Sequence, residues 1–130
     1  MKRASDYLAE ANAVVERITT EQALEAYGNA DAVFVDVRDG TDIAKTGTVK
    51  GAQKINRGFL EFAADDSTPH HNPALQKDAN IYVMCAVGGQ AALAGKTLKD
   101  MGYENVYNIG GLATGKPLAA RWNNQTINMH

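Results

Sequence analysis

Ile81-Tyr-Val-Met-Cys85-Ala-Val-Gly-Gly-Gln90-Ala-Ala-Leu-Ala-Gly-Lys-Thr-Leu-Lys-Asp-Met-Gly102 is the stretch from which the fold is read. Ile81 to Met84 form a short apolar run, the mark of a buried strand. Cys85, the single cysteine of the chain, follows at once. Gly88 and Gly89 then make a small-residue loop. Ala92, Leu93, Lys96, Thr97, Leu98 and Met101 follow a helical period, and Gly102 is a natural stop. A thiol is thereby expected at a strand end, on a tight loop, facing a helix N-terminus. Unpaired backbone N–H groups and the helix dipole converge there. That setting stabilises a thiolate and favours bound anions. A lone cysteine is often only a small buried hydrophobe. The strand-end position, the two glycines and the following helix favour a functional role instead.

Working outward, Ala32 to Asp36 is a second continuous apolar strand, the kind buried on both faces in a parallel sheet. It ends in Asp36-Val-Arg38-Asp39, with a turn at Gly40 and a short helix from Thr41. Asp36 and Arg38 sit at a strand's carboxyl end, where open α/β sheets place their sites. The structural reading is favoured for this pair: Asp36 caps a loop, and Arg38 pairs with a carboxylate such as Asp42. Gly47 to Ile55 reads as a short extended piece between turn residues. Arg57 to Phe62 reads as one or two helical turns. Residues 65 to 73 form a polar loop in which adjacent His70 and His71 make a poor metal site. Asn105 to Ile109 is a further strand, ending at Gly110-Gly111.

Before the first strand, Tyr7, Leu8, Ala11, Val14 and Val15 give an amphipathic helix over residues 4 to 16. A second helix starts after Thr19, which forms a capping box with Gln22, and ends at Gly28. After Gly111 a turn of helix is expected over 112 to 120, then a loosely held tail. Strands near 32–36, 53–55, 81–84 and 105–108 alternate with helices, which implies a parallel α/β sheet. The chain divides into an N-terminal helix (1–17), one domain (18–120) and a tail (121–130).

Bulk properties bound the rest. At 130 residues the chain fits one domain with its own core. Hydrophobic residues make up 45% and charged residues 22%, ordinary for a globular protein. A net charge of −2 gives no reason to expect a nucleic-acid partner. One cysteine makes no internal disulfide, which fits a reducing, cytoplasmic compartment. Acidic residues interrupt the N-terminal stretch, so no signal peptide is read, and no apolar run reaches membrane-spanning length. No metal and no cofactor are expected.

Four motifs in order resemble the rhodanese-like (sulfurtransferase) domain family, in its single-domain bacterial form. Val35-Asp-Val-Arg-Asp39 with Asp42 is similar to the family's D-V-R-E-P-x-E. Gly47-Thr-Val-Lys-Gly-Ala52 is similar to G-H-I-P-G-A. Cys85-Ala-Val-Gly-Gly-Gln90 occupies the place of the active loop C-x-x-G-x-R. Leu98-Lys-Asp-Met-Gly-Tyr-Glu-Asn-Val-Tyr107, followed by Gly110-Gly111, resembles the close of the domain. The resemblance runs from about Ile18 to Pro117. It implies a parallel sheet with helices on both faces, here with an extra N-terminal helix. It also implies a sulfurtransferase that carries sulfane sulfur as a persulfide on Cys85. The donor is thiosulfate or another sulfane source, and the acceptor is a thiol or a protein. Ala86, Val87, Gly88, Gly89 and Gln90 supply the substrate cradle, and Arg57 is a further candidate at its mouth. Partners are therefore small sulfur compounds and thiols, not nucleic acid or membrane.

The chain departs from the pattern at Gln90, which replaces the loop arginine, and at Ala91 and Thr48. Gln donates hydrogen bonds but carries no charge, so a sulfur anion loses a charge-assisted partner. The alternative reading is a non-catalytic rhodanese-like module that binds partners or senses redox state or sulfur. A phosphatase of the related loop type needs Cys-x5-Arg, and Ala91 stands at that arginine position. Thioredoxin-like exchange lacks its second cysteine.

Overall fold

The computed structural model describes residues 1–111 and 127–128. Helix α1 (Ala4–Val14) leads into strand β1 (Glu16–Arg17). Helix α2 (Thr20–Ala26), strand β2 (Ala32–Asp36) and helix α3 (Gly40–Thr46) follow. Two short strands, β3 (Thr48–Val49) and β4 (Gln53–Lys54), precede a 3-10 turn (Arg57–Phe59) and helix α4 (Leu60–Ala64). Strand β5 (Asn80–Cys85), helix α5 (Gly89–Asp100) and strand β6 (Asn105–Gly111) complete the main unit. Strand β7 (Ile127–Asn128) pairs antiparallel with β3.

Five parallel strands form the sheet in the order β1-β6-β5-β2-β4. Alternation along β5 sorts its side chains between two cores. Ile81, Val83 and Cys85 join Leu60, Ala91, Ala94, Leu98 and Val106 under α4 and α5. Tyr82 and Met84 join Phe34, Val49, Ala23 and Ile109 on the α2 face. Helices therefore cover both faces, and Cys85 points to the α5 side. Tyr82 stacks between Phe34 and Tyr107, with ring centroids at 5.0 and 5.2 Å.

The local signals place α2 well. Thr19 accepts from the Gln22 amide at 3.1 Å, and Gln22 Oε1 accepts from the Thr19 amide at 2.9 Å. Two expectations change. The first helix ends at Val14, and Glu16–Arg17 is an edge strand of the sheet paired with Tyr107 and Asn108. Helix α1 also lies on α5: Ala11 and Val15 are buried, and Leu8 reaches Gly89. The expected 47–55 piece is two strands, not one. The helical turn expected over 112 to 120 lies outside the described residues, as does most of the tail. No helix among the described residues is long and apolar enough to cross a membrane.

Candidate active site

Cys85 ends β5 and is 1% exposed. Its Sγ accepts hydrogen bonds from the backbone N–H of Gly88 at 2.9 Å and of Ala91 at 3.3 Å. The chain reverses at once because Gly88 adopts φ +104°, a left-handed conformation that glycine takes without steric cost. Gly88 then caps α5. Two preorganised donors at a helix N-terminus favour negative charge on the sulfur. The loop holds the thiol as a cradle does, with the donors coming from backbone alone.

Strand β6 fixes the loop from the other side. Asn108 is buried, donates Nδ2–H to the Gly88 carbonyl at 3.0 Å, and accepts from the Gly110 amide at 2.9 Å. The β5–β6 register shifts here: Val83 opposes Asn108, but Cys85 opposes Gly111. This bulge carries Gly110 at φ +89°. A Cβ at Gly111 would overlap the Ala86 carbonyl, so Gly111 is required by the loop packed on it.

The remaining candidates separate into three settings. Val87 is 68% exposed, Gln90 is exposed, and Gly89 opens α5, while Ala86 is half-buried at the turn. Among the described residues the Gln90 side chain has no hydrogen-bond partner. Arg57 donates to Thr97 Oγ1 at 2.8 Å and to Glu61 Oε1 at 3.0 Å. It lines a groove of about 630 Å³ that runs along α5 from Gly89 to Thr97, with Leu8, Tyr7 and Leu93. Asp36 and Arg38 form a buried ion pair at 2.8 Å, so Arg38's partner is Asp36 and not Asp42. Asp36 also accepts from Thr48 Oγ1 at 2.7 Å. The pair ties β2 to β3.

The polar loop is structural in its contacts. Thr68 Oγ1 donates to the Phe62 carbonyl at 2.8 Å, and Asn72 Nδ2 to Gln53 Oε1 at 3.0 Å. The hydroxyl and amide of Ser67 hold the Asp65 carboxyl below the usual carboxylate range. His71 Nε2 lies 3.2 Å from the Leu75 carbonyl, and His70 packs edge-on to Phe59. Among the described residues no group of three metal-ligating side chains gathers.

Sequence reasoning missed Arg17. Its guanidinium lies against Gly88 and Gly110: a Cβ at either would come 3.0 Å from Nη1 and 2.6 Å from Nη2, respectively. A two-residue strand leaves no periodicity to read, and Arg17 looks like the end of the preceding helix.

Comparison with known proteins gives the family and the fold. The family model for the rhodanese-like domain matches residues 19–114. The chain belongs to the rhodanese-like family. A solved Rhodopseudomonas palustris protein of unknown function, described as a possible tyrosine phosphatase, is 36% identical. The match covers 88% of each chain with a TM-score of 0.82. An Anabaena protein, Alr3790, is 29% identical over 71% of this chain and 69% of its own, with a TM-score of 0.57. The human single-domain sulfurtransferase TSTD1 shares the rhodanese-like fold at 20% identity, covering 75% of this chain and 90% of its own, with a TM-score of 0.62.

Proposed function

We propose that this rhodanese-like protein is a sulfurtransferase that carries sulfane sulfur on Cys85. The observation that supports it is the pair of backbone N–H groups on Sγ, from Gly88 and Ala91. The thiolate attacks the outer sulfur of a donor such as thiosulfate. The donor's S–S bond breaks, sulfite leaves with the electron pair, and a Cys85 persulfide anion remains. An acceptor thiolate then attacks the persulfide's outer sulfur, forms its own persulfide, and releases Cys85 as thiolate. No net oxidation or reduction is needed in either step. The donors on Sγ make this covalent catalysis with electrostatic support.

A binding or sulfur-sensing module without turnover is the second reading. The uncharged loop from Ala86 to Ala92 and the 1% exposure of Cys85 favour it. The phosphatase chemistry suggested for the Rhodopseudomonas protein needs a cation to close the loop over a phosphate. Here Ala91 is fully buried, and its amide is already engaged by the sulfur.

Intact-protein mass measurement after incubation with thiosulfate, and separately with an organic persulfide, tests the reading. We expect a gain of one sulfur atom, removed by cyanide and absent in Cys85→Ser. A loaded protein that never passes its sulfur to any thiol supports the sensing module. A protein that never loads is no sulfur carrier.

A further inference from the structure

Three arginines stand at or just after the carboxyl end of a sheet strand, and two have their charge engaged. Arg38 is paired with Asp36 in the core, and Arg57 with Glu61. Arg17 has no ion-pair partner among the described residues. It pairs in register with Asn108, on the face of the sheet to which Cys85 also points. Its guanidinium rests on Gly88, whose N–H donates to Sγ at 2.9 Å. Cation and sulfur are thus separated by the width of a single residue. That is inside the screening length of about 10 Å at 0.1 M salt. The burial of the sulfur weakens screening further. The glycines at 88 and 110 leave the space this contact needs. Glu21 lines the same surface recess as Arg17 and has its own partner.

We infer that Arg17, from β1, supplies the positive charge that the loop's own side chains lack, and that it selects anionic sulfur donors over less charged ones. Arg17 is a positioning residue that acts through its field and does not touch the sulfur. The donor part of this inference rests on Cys85 being a sulfur carrier; the charge part does not. The competing account is that Arg17 only packs across two glycines at a sheet edge.

The deciding measurement is the ratio of Cys85 alkylation rates with iodoacetate, an anion, and iodoacetamide, which is uncharged and similar in size. Wild type, Arg17→Gln and Arg17→Lys are compared at low and high salt. A charge role lowers the ratio roughly five-fold in Arg17→Gln and preserves it in Arg17→Lys. High salt should bring the wild-type ratio down toward that of Arg17→Gln. A packing role moves both rates together and leaves the ratio unchanged, which overturns the inference. If Arg17→Gln does not fold, a wild-type ratio indifferent to salt overturns it equally. With sulfur donors, Arg17→Gln should lose about ten-fold in kcat/KM with dianionic thiosulfate, and about three-fold with monoanionic benzenethiosulfonate. Adding Gln90→Arg to Arg17→Gln should restore the thiosulfate rate. Equal losses with both donors count against charge selection. Should neither donor load wild-type Cys85, the sulfur-carrier reading fails, while the alkylation ratio still decides what Arg17 does.

Discussion

A carboxylate sealed from water needs donors on every side, and Asp36, at 0% exposure, has them. It accepts from Arg38 N at 3.0 Å, Arg38 Nη2 at 2.8 Å and Thr48 Oγ1 at 2.7 Å. Arg38 in turn donates to Thr46 Oγ1 at 2.6 Å and the Gly47 carbonyl at 2.8 Å. Arg38→Met should therefore leave an uncompensated charge in the core and cost about 3–5 kcal/mol in urea unfolding. A loss under about 1 kcal/mol would mean that water or another cation reaches Asp36. Both residues were legible as a strand-end pair, but not their pairing with each other. Residues two apart on a straight strand share a face; the bend after β2 also folds Arg38's long side chain back onto Asp36. The Cys85 loop was legible because its causes are local: an apolar run, small residues, a helical period. Arg17 was not, because its contact with Gly88 is made across the sheet edge.

At the scale of elements, α1 and α5 meet through a glycine. A Cβ at Gly95 would lie 2.9 Å from Val15 Cγ1 and 3.1 Å from Cγ2. Gly95→Ala gains helix propensity of about 0.5–1 kcal/mol, but overpacking of this kind costs about 1–3 kcal/mol. Val15 is buried, with little room to yield, so the net effect should be destabilising. The double variant Gly95→Ala/Val15→Ala should recover much of the loss, and a double-mutant cycle in urea measures it. Strictly additive effects would show that the two side chains do not meet. The same contact bears on the site. Helix α5 begins at Gly89 beside the sulfur, and Leu8 of α1 packs there. Amphipathic spacing revealed the helix over residues 4 to 16 but not its dock, because a hydrophobic stripe specifies that a face is covered and not by what.

The whole molecule carries two tyrosines whose hydroxyls the fold keeps protonated. Burial pushes Tyr103 up from the ordinary value, against the opposing pull of Lys77. Its hydroxyl donates to the Ala64 carbonyl at 2.7 Å and so links α4 to the chain after α5. Burial also pushes Tyr82 up, with Tyr107 and Asp31 adding to it. In both cases the folded value lies above the unfolded one, near 10. Their contribution to stability is therefore complete below about pH 10 and is lost as pH rises from there through the folded values. The urea midpoint should fall more steeply above about pH 10 in wild type than in Tyr82→Phe/Tyr103→Phe. Tyr103→Phe should also lower stability at pH 8, by about 1 kcal/mol, because the Ala64 carbonyl loses its donor in the core. The other ionisable residues are common to both proteins, so the difference between the two slopes isolates the tyrosines. Parallel curves for wild type and the double variant above pH 10 would show that neither hydroxyl is held by the fold.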